Sequence, residues 1–155
     1  MFRTVVAFSV ALVLAVAGAS PPARAGQSLP PQPRVHPAGI PSDAVMFSPC
    51  VATMGEHWAA LRNWPLGPIY GTYRGKPVFT EIMVSQKQMQ RGFSYDNIRA
   101  LPGYHIDHVN VEFEPHGHPG FPVPHYDIHA YYVSAAQEAN ICPNGAPDEA
   151  LKARQ

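Results

Sequence analysis

Charge is scarce and evenly split. Only 14% of the 155 residues are charged, with 11 Lys and Arg against 11 Asp and Glu. They form no basic patch, which excludes a role built on neutralising the phosphates of a nucleic acid. Cysteine is limited to Cys50 and Cys142. Neither has a Cys or His neighbour at zinc-finger spacing, so a thiolate-ligated zinc is excluded. No apolar run reaches the roughly 20 residues a membrane-spanning helix needs. Ser94 and Ser134 lack a G-x-S-x-G setting, and the chain has neither a phosphate loop nor a dinucleotide fingerprint. Internal repeats and long helical periodicity are missing too, which leaves no basis for a solenoid or a helix bundle.

The N-terminus carries an export pattern. Arg3 precedes the apolar stretch Val5 to Ala17, Pro21-Pro22 breaks any helix, and Ala23-Arg24-Ala25 is an A-x-A cleavage site. Residues 1–25 are therefore expected to be a signal peptide, with the mature chain starting at Gly26; an uncleaved anchor is the alternative. No Cys lies near the cleavage site, which argues against a lipoprotein. Without Arg3 and Arg24 the balance is 9 basic to 11 acidic residues. The expected location is periplasmic or extracellular, and an even cysteine count there predicts a Cys50–Cys142 disulfide.

Residues 26–41 form a Pro-rich arm, too poor in large apolar groups to order itself, with His36 solvated within it. Residues 42–142 have the length of one domain, and 143–155 read as a tail. Ile69 to Tyr73 and Pro77 to Val84 flank a Gly75 turn, which predicts a β-hairpin with Pro77 at an edge or strand start. Ser85 to Gln88 and Ser134 to Gln137 are capping-box patterns that open two short helices. His108 to Glu114 alternates strictly, with Val109, Val111 and Phe113 on one face of a half-buried strand. The predicted fold is all-β or β-dominated, a small antiparallel barrel or sandwich with two short helices.

The chemistry concentrates between Tyr104 and Val133, where six of the eight histidines lie. On a strand, His125, Asp127 and His129 point to one face. Two imidazoles and a carboxylate are ligand types for a borderline divalent metal; a plain solvent face is the bland alternative. His125 and His129 would stand roughly 13 Å apart between Cα atoms, a hard span for one ion. Residues two apart, such as His125 and Asp127, converge more easily, and further ligands must come from elsewhere. His116-Gly117-His118 lacks the following Glu of a cupin-type H-x-H site and reads as a constrained loop, with His118 the weaker ligand candidate. His57 beside Trp58 reads as a packed histidine. Glu81 interrupts an apolar strand and needs a partner if buried.

Three blocks taken together resemble a known family. They are Cys50-x3-Met54-Gly55-x-His57-Trp58; Ile69-Tyr70-Gly71-x-Tyr73-x-Gly75-Lys76-x-Val78-Phe79-x-Glu81-x-Met83-Val84; and Pro124-His125-Tyr126-Asp127-x-His129-x-Tyr131. The family is one of exported proteins of unknown function, typified by a Thermus protein under sigma-E/anti-sigma-E control. The resemblance implies a small, β-rich exported domain that self-assembles and binds a divalent metal such as zinc, without implying a reaction. It adds weight to His57 and Glu81 and assigns no role to His116 or His118.

The leading expectation is an exported, zinc-binding protein with an envelope-stress connection. Its site would be drawn from His57, Glu81, His125 and His129, with Asp127 a ligand or an orienting group, and its affinity would fall below about pH 6.5 as imidazoles protonate. One alternative is a metal-dependent enzyme with an open coordination position and Glu81 as general base. The other is a metal-free envelope interaction module that uses its seven Tyr and two Trp.

Overall fold

The computed structural model describes residues 29–143. The expected signal peptide and most of the expected tail lie outside the described residues. Six strands follow in order: β1 (Val45–Val51), β2 (Gly55–Ala59), β3 (Ile69–Tyr73), β4 (Lys76–Ser85), β5 (His108–Glu114) and β6 (His125–Tyr131). Two helices, α1 (Gln86–Gln90) and α2 (Ala135–Glu138), are as short as expected. Each opens with the predicted capping box, Ser85 with Gln88 and Ser134 with Gln137.

The strands make one antiparallel sheet in the order β1-β2-β3-β4-β6-β5. The β-dominated class holds. The sheet is open, with β1 and β5 at its two edges, and does not close into a barrel. Its centre is β4, buried from Pro77 to Val84, which is why that segment reads as a nearly continuous apolar run. Pro77 sits near the start of the strand, where a missing N–H does least harm.

One face of the sheet carries Thr80 and Trp58. Residues 91–107 cross it, with Thr80 donating to the Arg99 carbonyl and Leu101 packing on the cluster of Ile40, Ala44, Met46 and Trp58. The Trp58 indole donates to Thr72 Oγ1, which in turn donates to Glu56. The arm is docked where the structure describes it. The Gln32 side chain donates to the Met46 carbonyl and accepts from its N–H, as a strand residue would. His36 is exposed yet set edge-on to Trp58, with a ring nitrogen 3.2 Å from the Ala44 carbonyl oxygen, rather than merely solvated.

Register decides two points that alternation leaves open. The polar side of β5 is the half-buried one, while Val109, Val111 and Phe113 are 57, 59 and 43% exposed. The reason is register: Asn110, Glu112 and Glu114 lie opposite His129, Asp127 and His125, so the polar side of β5 shares the covered face with β6. Alternation identified the strand but could not say which side faces inward. The polar side of β6 likewise is no solvent face, since His125, Asp127 and His129 are all buried. β1 and β2 are not foreshadowed by any alternation, because Pro49 and two register shifts interrupt their pairing.

Candidate metal centre

The covered face owes its geometry to the absence of a side chain on β3. Gly71 pairs with His57 on one side and Phe79 on the other. A Cβ at Gly71 would overlap the Phe79 ring. That ring packs edge-on against two imidazoles, with centroids 5.4 Å from His57 and 4.9 Å from His129. Gly71→Ala is expected to cost about 1–3 kcal/mol, as overpacking does, and to displace Phe79 from the two histidines. The check is a lower urea midpoint at unchanged m-value.

Cross-strand register then collects the polar groups. Glu81 on β4 lies opposite His129 on β6, and His57 reaches them from β2. His57 Nε2 is 3.9 Å from Glu81 Oε2, and His129 Nε2 is 3.6 Å from Glu81 Oε1. The three residues are 7, 3 and 1% exposed. Four of their polar atoms have no protein partner: His57 Nδ1, Glu81 Oε2 and both ring nitrogens of His129. Burial holds the His57 imidazole down at about 3 and that of His129 at about 4. Burial also raises the Glu81 carboxyl well above its usual range, helped by the nearby charge of Asp127.

A second group sits two residues along β6. His125 Nε2 is 3.1 Å from His118 Nε2 and 3.0 Å from Asp127 Oδ1, with His118 Nε2 3.6 Å from Asp127 Oδ2. His118 comes from the loop between β5 and β6. The Asp127 carboxylate raises its imidazole to about 9. His125 is fully buried beneath Phe121, whose ring centroid is 4.6 Å away.

Each group offers two imidazoles and one carboxylate, with ligand atoms within 4.8 Å of one another, and each could hold a metal ion. The five sequence candidates are thus all on one face, but they divide. His57, Glu81 and His129 meet; His125 and Asp127 meet each other and His118. The remaining histidines stand apart. His105 and His116 are exposed, and His108 stacks on Tyr131 between Asp107 and Glu138, whose carboxylates raise its pKa. Cys50 and Cys142 are joined as a disulfide with Cα atoms 6.0 Å apart.

No protein-family model matches the chain, and no curated protein is similar to it in sequence. Its fold is similar to the crystal structure of a hypothetical protein, TTHB210, from Thermus thermophilus, with a TM-score of 0.54 and 28% sequence identity. The similarity covers 67% of this chain and 97% of that one. The Thermus likeness read from the three sequence blocks is thereby shared at the level of fold.

Proposed function

We propose that this is an exported metal-binding protein that holds a divalent ion, zinc foremost, between His57, Glu81 and His129. The observation that carries this reading is the concentration of unpartnered polar atoms in the buried triad. Each such atom costs about 1–3 kcal/mol when left unsatisfied, and an ion coordinated by Nε2 of both rings and by the carboxylate would satisfy two of the four, Glu81 Oε2 and His129 Nε2. Oxygen and nitrogen donors without sulfur suit zinc and its neighbours in the first transition row. Among the described residues no helix is long and apolar enough to cross a membrane. The disulfide fits a periplasmic or extracellular location. Regulation by envelope stress and self-assembly rest on the family resemblance.

The closure of the triad favours binding over catalysis. Catalytic zinc keeps a position open for water or substrate, whereas all three side chains here are nearly inaccessible. A catalytic role would require an opened form in which Glu81 is free to act as a base.

The pH dependence follows from which group carries the competing proton. His57 and His129 stay neutral until pH falls to about 3 and 4, so their protonation does not oppose metal near neutrality. Glu81 moves the other way, its pKa raised by burial and by the charge of Asp127, so it is the triad group at which a proton competes with the ion at the higher pH. Affinity at the triad should therefore climb with pH through the raised Glu81 range, rather than turn on near the ordinary histidine value. Metal titrations by isothermal calorimetry in buffers of different ionisation enthalpy check this, with proton release per ion expected to fall as pH rises.

Glu81→Gln tests the reading through a change of sign. In chelated protein at pH 7.5 the neutral amide removes the cost of burying or protonating a carboxyl, so the variant should be more stable by on the order of 2 kcal/mol. In excess zinc the order should reverse, because only the wild type gains the ion. A metal-free interaction module would show the first effect without the second.

A further inference from the structure

We propose that His118, His125 and Asp127 form a second divalent-cation site, loaded independently of the buried triad and open to solvent on one side. The backbone dictates where the imidazole protons sit. His125 Nδ1 lies 2.7 Å from the Val123 carbonyl oxygen, and His118 Nδ1 lies 3.0 Å from that of Pro119. A carbonyl only accepts, so each ring donates from Nδ1, which leaves Nε2 as the atom each ring can offer to a cation. Those two Nε2 atoms face each other at 3.1 Å, and His125 Nε2 faces Asp127 Oδ1 at 3.0 Å.

Two imidazole nitrogens and a carboxylate oxygen converge there. Asp127 Oδ1 has no hydrogen-bond partner, although Asp127 is only 5% exposed. A cation at the centre would take these three atoms as its coordination set. Bonds of ~2.1 Å in a tetrahedron place donors about 3.4 Å apart, close to the 3.0–3.6 Å spanned by these atoms. Backbone carbonyls that hold the far nitrogen of a ligating imidazole are the usual orienting device at such sites.

The loop is built for this approach. Gly117 adopts φ +65°, and a Cβ there would overlap the backbone of residues 121–123. A pair of backbone hydrogen bonds between His118 and Phe121 closes the turn, and Phe121 roofs His125. The His118 side chain remains 35% exposed, so the open side faces water and leaves a fourth position for it. This differs from the closed triad. One ion cannot serve both groups, because His125 and His129 are roughly 13 Å apart along β6. The ligand class is a divalent ion that accepts imidazole nitrogen, such as Zn²⁺, Co²⁺, Ni²⁺ or Cu²⁺, rather than Mg²⁺ or Ca²⁺.

The test uses the untagged mature chain, titrated with Co²⁺ under visible absorption and with Zn²⁺ under equilibrium dialysis. Two ions should bind per wild-type chain. His118→Ala should weaken one of them at least about 100-fold and leave the other in place, whereas Glu81→Gln should keep the ion that His118→Ala loses. Should His118→Ala misfold, long-range ¹H–¹⁵N spectra of the wild type give the answer instead. The Nε2 resonances of His118 and His125 should then shift together as zinc is added, in a step that Glu81→Gln retains. Unchanged stoichiometry in a folded His118→Ala, or Nε2 resonances of His118 that ignore zinc, would overturn the proposal. A wild type that binds a single ion lost with His118→Ala would refute the triad instead and leave this site standing.

Discussion

Chelation should lower the thermal midpoint of the mature protein by about 15–30 °C, and restoring zinc to the medium should reverse the loss. The size follows from mass action. An ion that binds only the folded chain, at a free concentration 1,000 times its dissociation constant, adds about 4 kcal/mol, and each kcal/mol moves a domain of this size by roughly 4–8 °C. The physical source is the triad. Without an ion, the fold holds two imidazoles below their ordinary pKa and raises the carboxyl between them above its own.

Both shifts make stability depend on pH, in opposite windows. The depressed histidines contribute stability that is present above about pH 6.5 and lost as pH falls toward 4 and 3. The raised Glu81 contributes stability that is present below its ordinary pKa and lost as pH rises through its folded one. Near neutrality the metal-free protein therefore bears the Glu81 cost, and zinc removes it. Differential scanning calorimetry with and without chelator, on wild type and His129→Ala, checks this. The variant should show no response to zinc at the triad.

Reducing the Cys50–Cys142 disulfide should cost about 4.6 kcal/mol in the chain-entropy treatment of a crosslink across so long a loop. The sequence separation is 92, so the bond ties the first strand to the segment after α2. It also belongs to the packing that orders the covered face. Cys142 lies in the buried cluster of Val78, Phe79, Tyr131 and Ile141, against which Cys50 and Met54 pack. The Ile141 carbonyl accepts from Thr53 N–H near the start of β2. Phe79 then transmits the loss to the candidate site, because its ring packs against both His57 and His129. Guanidinium unfolding of the oxidised and reduced protein should show the drop in midpoint, and the reduced protein should release metal faster. An unchanged midpoint would mean that the ends are held by packing alone.

How far the sequence disclosed this arrangement depended on whether the decisive physics was local. Capping boxes at Ser85 and Ser134 and the Gly75 turn are short-range devices, and each was legible from neighbours in the chain. The ligand types were legible too. An acid at Glu81 in an apolar strand, and His125, Asp127 and His129 on one side of another, stand out against their surroundings. Their grouping was not legible, because it rests on the Glu81–His129 register and on Gly71 clearing the path from His57. His118 was the harder case. It lies in a Pro/Gly loop without periodicity, and only the fold-back at Gly117 and Phe121 brings it onto His125. The one local hint was the H-G-H sequence itself, whose Gly permits that turn.

Metal binding at the triad is most directly tested by elemental analysis of the mature protein, purified from its native compartment without a His tag and dialysed against metal-free buffer. At least about one zinc per chain should survive dialysis, as a closed three-ligand site should ensure, and that ion should be lost in His129→Ala. Less than about 0.2 metal per chain in the wild type, unchanged by His129→Ala, would contradict it.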